Sequence, residues 1–126
     1  MNLKKYFEEH TGFGVLSTAD GDGRVNAAVY ARPHCFEDGT IGFIMPDGLT
    51  HSNLQPNDHA AYLFRQDAEA GDRRYDGVRL YLTKVGEDDD EGRISKLRRR
   101  TPGGDGVGRH LVIFKVEKQL PLVGPG

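Results

Sequence analysis

Residues 12–64 decide the fold of this chain, and they read GFGVLSTADGDGRVNAAVYARPHCFEDGTIGFIMPDGLTHSNLQPNDHAAYLF. Three apolar, strand-like runs are separated by acidic, glycine-containing segments at 20–23 and 37–39. Such segments suit hairpin turns, because their glycines accept positive φ angles. The three predicted strands span residues 13–18, 24–36 and 40–45. Pro33 interrupts the second strand, so we expect a bend or a sheet edge there.

The remainder of the chain adds further strands and short helices to this hairpin-rich stretch. Strands are predicted at residues 59–66, 77–86 and 109–118, and helices at residues 2–11, 50–56 and 88–100. We expect Gly12 and Gly14 to end the first helix, and Thr50 to be the N-cap of the second. Six short strands with few helices favour a closed or split β-barrel, formed by a single domain of residues 1–126.

Composition narrows the function classes. The chain has 126 residues, of which 37% are hydrophobic and 29% charged, and its net charge is −2. The low hydrophobic fraction gives a thin core, so burying one face against a second copy of the chain would help to stabilise the fold. The charge lacks the basic signature of a nucleic-acid binder. No apolar run reaches membrane-spanning length, and MNLKKYFEEH lacks the apolar core of a signal peptide, so we expect a cytoplasmic protein.

Metal and nucleotide motifs are missing from the sequence pattern. No pair among the five histidines has a zinc-site spacing, and the adjacent His34 and Cys35 would point to opposite faces of a strand. The sequence therefore predicts no metal site. The glycine-rich segment 103–108 does not match a dinucleotide fingerprint, because Arg109 stands where a third glycine would fall and a strand is predicted to follow.

The order of elements from the first strand to the short helix resembles the flavin-binding split barrels related to pyridoxamine 5'-phosphate oxidase. The resemblance extends over roughly residues 3–122 and includes the start of the fifth strand at 75–80 and the Pro-Leu tail at 121–122. It implies a six-stranded split β-barrel of Greek-key type, mainly β with short flanking helices. It also implies a homodimer that binds flavin mononucleotide (FMN) at its interface.

The resemblance also implies which residues contact the cofactor. In the family, the second strand lies along the isoalloxazine ring. The matching residues here are Asn26, Ala27, Ala28, Val29 and Tyr30. An amide such as that of Asn26 can bond the polar edge of the ring, and small neighbours let the ring approach the backbone.

The family's phosphate site matches the segment that opens the short helix. Its members commonly carry two basic residues there, where this chain has Leu49 and Thr50. The candidate phosphate contacts are Thr50, His51, Ser52 and Asn53. Arg79 on the fifth strand, or Arg32, could replace the missing cations. Leu122 in the tail could cover the flavin of the partner chain, as such tails do in related dimers.

The implied function is that of a small FMN-binding oxidoreductase or electron carrier. The residues that bind the vitamin B6 substrate in true pyridoxamine 5'-phosphate oxidases have no match here. The alternative is a non-enzymatic split-barrel module that binds haem or a deazaflavin, or no cofactor. For haem, His34, His51 or His110 could be the axial ligand. Nucleic-acid binding through the basic residues at 96–100 is opposed by the acidic run at 87–91 and the overall charge.

Overall fold

A computed structural model describes residues 2–98 and 108–125 of the chain. Within these residues there are three short helices and seven strands. The helices are α1 (Leu3–Glu9), α2 (Leu49–Asn53) and α3 (Glu91–Leu97). The strands are β1 (Gly12–Ala19), β2 (Val25–Val29), β3 (His34–Cys35), β4 (Ile41–Met45), β5 (His59–Gln66), β6 (Gly77–Asp88) and β7 (His110–Pro121). The end of the predicted helix 88–100 and most of the segment 101–108 lie outside the described residues.

All seven strands belong to one antiparallel sheet with the order β2-β1-β5-β6-β7-β4-β3. The sheet curls into a split barrel, which confirms the mainly β fold class. β5 returns to lie beside β1, and β7 beside β4, by the long connections of a Greek-key arrangement. Among the described residues, no helix is long and apolar enough to cross a membrane.

The predicted count of six strands is wrong by one, and Pro33 gives the reason. The expected second strand 24–36 is divided into β2 and the two-residue strand β3, which pair with different neighbours. Proline cannot donate to a strand ladder and fixes its own φ angle. The chain therefore leaves β1 at Tyr30 and joins β4 at His34, so a single predicted strand contributes to both ends of the sheet.

The first helix is shorter than predicted, and Gly12 and Gly14 do not end it. Helix α1 ends at Glu9, and both glycines lie inside β1. A Cβ atom at Gly12 would lie 2.1 Å from the carbonyl oxygen of Arg65, and one at Gly14 would lie 1.9 Å from the Tyr62 hydroxyl oxygen. These glycines are therefore required for close packing in the barrel.

The core fills the inside of the curled sheet. Along β6, Val78, Leu80 and Leu82 are buried, as the alternating sequence pattern predicts. They pack with aromatic side chains of α1, β4, β5 and β7, namely Tyr6, Phe7, Phe43, Tyr62, Phe64 and Phe114. A smaller cluster of Ile44, Ile94 and Leu111 holds α3 against the sheet.

Candidate functional site

A polar contact joins the end strand of the sheet to α2. The Asn26 amide donates to the Thr50 hydroxyl oxygen at 3.4 Å, and the Tyr30 hydroxyl also hydrogen-bonds to Thr50. Burial raises the pKa of the Tyr30 hydroxyl, against the effect of its bond to Thr50. Asn26, Tyr30 and Thr50, here called the polar trio, therefore fix how β2 sits against α2.

The start of α2 differs from the sequence prediction in one respect. Its N-cap is Gly48, with no side-chain capping bond, and Thr50 is a buried residue of the first turn. The hydroxyl of Thr50 is used by the polar trio and does not cap the helix. Asn53 fastens the other end of α2, because its amide donates at 3.1 Å to the hydroxyl oxygen of the buried Thr18 in β1. Ser52 is exposed.

The predicted ring contacts on β2 are divided between the two faces of the sheet. Asn26 pairs with Thr18 and Ala28 with Leu16, so these two residues share the face of the core. Ala27 and Val29 are exposed on the other face. β2 is also the end strand of the sheet, so one of its edges has no strand partner among the described residues. The structure thus combines small residues, an available edge and an adjacent polar trio.

An apolar surface covers the outer face of the neighbouring strands. Val15 of β1 pairs with Val29 on one side and with Leu63 of β5 on the other. The side chains of Phe13, Val29 and Leu63 are 56%, 65% and 42% exposed. We call Phe13, Val15, Val29 and Leu63 the outer patch. Apolar side chains that adjoin one another on a sheet surface are typical of interaction sites.

Arg79 and Leu122 meet at the C-terminal tail. The Arg79 Nε atom donates to the carbonyl oxygen of Pro121 at 2.8 Å, and its Nη2 atom donates to that of Gly124 at 3.2 Å. The guanidinium group therefore binds the backbone on both sides of Leu122. In this structure, Arg79 positions the tail in which the predicted cofactor-covering residue lies.

Another predicted phosphate contact, His51, belongs to a histidine–carboxylate cluster formed by Asp47, His51, Glu87, Asp89 and His110. The rings of His51 and His110 stack with centroids 3.8 Å apart and planes inclined by 10°. His51 Nε2 lies 3.1 Å from a carboxylate oxygen of Glu87. His110 lies between two carboxylates, with Nε2 at 2.6 Å from Asp47 and Nδ1 at 2.9 Å from Asp89.

The hydrogen bonds within this cluster favour the charged forms of His110, Asp47 and Glu87. The hydrogen bond to Asp47 is the main cause of the raised pKa of His110, and the same bond lowers the pKa of Asp47. Burial raises the pKa of Glu87, but hydrogen bonds from Gln55, His51 and Lys84 outweigh burial and bring it to about 2. Glu87 is therefore a carboxylate throughout the physiological pH range.

Sequence reasoning did not predict the cluster. Asp47 and His51 are close in sequence, but Glu87 and Asp89 come from the end of β6 and His110 from the start of β7. The pairing of β6 with β7 brings these residues together, since Glu87 faces Val112 and Asp88 faces Leu111. A spacing rule for short zinc motifs cannot detect ligands that sheet topology assembles.

Several solved structures have the same fold. An FMN-binding protein from Syntrophomonas wolfei superposes with a TM-score of 0.79 and 22% identity, over 98% of this chain and 86% of the other. A protein from Lactobacillus delbrueckii, provisionally assigned as a pyridoxamine 5'-phosphate oxidase, gives a TM-score of 0.64 at 15% identity, over 95% and 92% of the two chains. An F420 reductase gives 0.65 at 14% identity, over 92% and 94%.

No protein-family model matches the sequence, and no curated protein does. At these identities the superpositions establish the fold. The chain has the split-barrel fold of the pyridoxamine 5'-phosphate oxidase-like proteins, as its sequence predicted.

Proposed function

We propose that this protein binds a flavin, FMN in the first instance, at the interface of a homodimer and acts as a small oxidoreductase or electron carrier. The observation that carries the proposal is the available edge of β2, where Ala27 and Ala28 adjoin the polar trio. Small side chains allow a flat ring to approach the strand, and the polar trio offers an amide and hydroxyl groups near the ring edge. The FMN-binding protein with the same fold supports this choice.

The homodimer is proposed from the outer patch. Its exposed apolar residues lie on the strands next to β2, so a second copy covering them would also form a crevice at the β2 edge. Closed two-fold contacts of this kind are the commonest assembly of soluble proteins. The tail held by Arg79 would bring Leu122 to the flavin of the partner chain.

The proposed site fits the phosphate group of FMN less well than its isoalloxazine ring. A phosphate monoester carries close to two negative charges and is stabilised by cations or several N–H donors. Here His51 and Lys84 both contact Glu87, since His51 Nε2 lies at 3.1 Å and Lys84 Nζ at 3.2 Å from its oxygens. Arg79 binds tail carbonyl groups. We therefore infer that this chain recognises the flavin mainly by its ring.

When bound, a flavin supplies electron and hydride transfer, and the protein orients the ring and limits access of water. In the proposed site, the polar trio fixes the position of β2, and the Leu122 tail limits solvent access. The residues that the family uses for vitamin B6 remain unmatched, so the proposal does not include that substrate.

A titration with two flavins tests the proposal. Purified protein, freed of bound cofactor, is titrated with FMN and with riboflavin, which lacks the phosphate, and flavin fluorescence is recorded. We expect saturable binding of both, with affinities within about tenfold, equal to about 1.4 kcal/mol. A preference of a thousandfold for FMN would show phosphate recognition and contradict the inferred ring-dominated binding. If neither FMN nor riboflavin binds, the proposed function is overturned.

A matched pair of variants localises the site. Thr50→Val removes the hydroxyl that Asn26 and Tyr30 bond, whereas Thr50→Ser retains it. We expect weaker flavin binding in the first variant and nearly unchanged binding in the second. Equal affinities in both variants would remove the polar trio from the site.

A deazaflavin is the second candidate ligand, because the F420 reductase has the same fold. The same fluorescence titration with a 5-deazaflavin distinguishes it. Binding of the deazaflavin without binding of FMN or riboflavin would select this alternative.

A further inference from the structure

The histidine–carboxylate cluster has a ligand set that the proposed flavin site does not use. Asp47, His51 and His110 each offer one ligand atom, and these atoms lie within 4.8 Å of one another. The three residues come from the loop before α2, from α2 itself and from the start of β7. We propose that Asp47, His51 and His110 form a binding site for one divalent transition-metal ion, of which Zn²⁺ is the type case.

The donor atoms define the class of metal. Two imidazoles and one carboxylate suit Zn²⁺, Co²⁺, Ni²⁺ and Cu²⁺, whereas Ca²⁺ and Mg²⁺ favour oxygen ligands alone. Three protein ligands are also the usual number for a zinc ion that keeps an open position for water or another ligand. The cluster therefore predicts selectivity for transition metals over alkaline-earth ions.

Asp89 has the position of an outer carboxylate. It lies 2.9 Å from Nδ1 of His110, on the opposite side of the ring from Nε2 and Asp47. Metal-binding histidines almost always donate their second ring N–H to such a group, which fixes the tautomer and the ring orientation. An ion between Nε2 of His110 and Asp47 would replace the proton that these two groups now share.

Glu87 lies beside His51 in the cluster, with a carboxylate oxygen 3.1 Å from its Nε2. Its carboxylate also accepts hydrogen bonds from Gln55 at 2.8 Å and Lys84 at 3.2 Å, so its own position is fixed. The histidine side chains are only 15–16% exposed, whereas that of Asp47 is 68% exposed. An ion can therefore enter on the side of Asp47 and reach two largely buried nitrogen ligands.

Coordination requires a small rearrangement of the stacked rings. An imidazole nitrogen binds a metal in the plane of its ring, and the two planes here are inclined by only 10° with centroids 3.8 Å apart, so one ion cannot lie in both planes. One ring must turn about its χ2 torsion for both nitrogens to face the same ion. His51 is the residue expected to turn, because His110 is held by carboxylates at both nitrogens.

The test uses Co²⁺ as a spectroscopic probe and Zn²⁺ as its competitor. The full chain is freed of metal with a chelator, exchanged into chelator-free buffer and titrated with Co²⁺ while its visible absorption is recorded. We expect saturation at one ion per chain, with bands that disappear when Zn²⁺ is added and persist when Mg²⁺ is added. No absorption change with Co²⁺ and no heat of binding with Zn²⁺ would overturn the proposal.

Variants assign the ligands. Asp47→Asn changes an exposed side chain and preserves its shape, so the protein is expected to remain folded. This change and His51→Ala should each weaken metal binding by at least about tenfold. His59→Ala is the control, because His59 is an exposed histidine outside the cluster. Equal affinities of wild type, Asp47→Asn and His51→Ala, with unchanged circular dichroism, would contradict the assignment.

Discussion

The imidazole rings of His51 and His110 stack with their centroids 3.8 Å apart, although one lies on α2 and the other on β7. Each ring is also bonded to carboxylates, so the pair connects the short helix to the ends of β6 and β7. α2 has only five residues and could not persist alone in water. Its position therefore depends on this cluster on one side and on Thr18 and Asn26 on the other.

Glu87 predicts a loss of stability in acid. Its pKa in the folded protein is about 2, against the ordinary value of 4.5 for a glutamate side chain. A carboxylate with a lowered pKa stabilises the fold above its unfolded pKa, and that contribution disappears as the pH falls through the folded value. We expect the free energy of unfolding to fall between about pH 4.5 and pH 2 in wild type, and to fall less in Glu87→Gln.

Urea denaturation at several pH values measures this effect, with a chelator present to exclude metal binding. Glu117→Gln is a matched control on the exposed part of β7, where the carboxylate makes a long contact of 4.0 Å with Lys115. If Glu87→Gln and wild type have parallel acid profiles, the hydrogen bonds to Glu87 do not contribute in solution.

We expect substitution of Gly77 to create a packing defect. A Cβ atom there would lie 1.8 Å from the carbonyl oxygen of Phe64, which belongs to the backbone of β5 and cannot move independently. Gly77→Ala should therefore destabilise the protein by about 1–3 kcal/mol in urea denaturation. Gly86→Ala on the same strand is the control, because a Cβ there would have no atom of the other described residues within 4 Å, apart from its chain neighbours. Equal stability of the two variants would contradict the packing of β5 on β6.

The outer patch predicts the oligomeric state. Val29→Asp places a charge in the proposed dimer interface without disturbing the core, since the side chain is 65% exposed. We expect light scattering after size-exclusion chromatography to show a dimer for wild type and a monomer for Val29→Asp. Val85→Asp, at a 57% exposed position outside the patch, should remain dimeric. A monomeric wild type at micromolar concentration would exclude the proposed interface.

We expect Arg79 to hold the C-terminal tail in place. Arg79→Gln loses the two-pronged contact with the carbonyl groups of Pro121 and Gly124. Amide exchange at residues 122–124 should become faster, and the affinities for FMN and riboflavin should fall by the same factor. Arg74→Gln is the control in the loop before β6, where the guanidinium contacts Asp72. A loss confined to FMN would instead make Arg79 a phosphate contact.

The sequence predicted the strands well because their signals are local. Alternation along 77–86 identifies Val78, Leu80 and Leu82 as core residues, and the turn at 20–23 has its positive φ angle at Gly23. Prediction from the sequence failed at positions where contacts between residues distant in the sequence decide the structure. Gly12 and Gly14 looked like helix terminators, but their function is to admit Arg65 and Tyr62 from the neighbouring strand.

The residues of the candidate site also divide into those that the sequence indicates and those that only the fold brings together. The resemblance to the split-barrel family implies that Asn26 and Thr50 belong to the site, and the structure brings them into contact. The carboxylate partner of His51 could not be predicted from the sequence, because Glu87 lies 36 residues away along the chain and meets His51 only in the folded protein. The sequence makes His51 a candidate phosphate contact, whereas the structure places it beside a carboxylate.

The most direct test of the proposed function is the fluorescence of FMN during titration with the cofactor-free protein. If the β2 edge and the polar trio form a flavin site, fluorescence changes in a saturable manner with one flavin per chain, and Thr50→Val weakens the binding while Thr50→Ser retains it. Fluorescence that remains equal to that of free FMN at every protein concentration, in a sample whose circular dichroism shows a folded barrel, would contradict it.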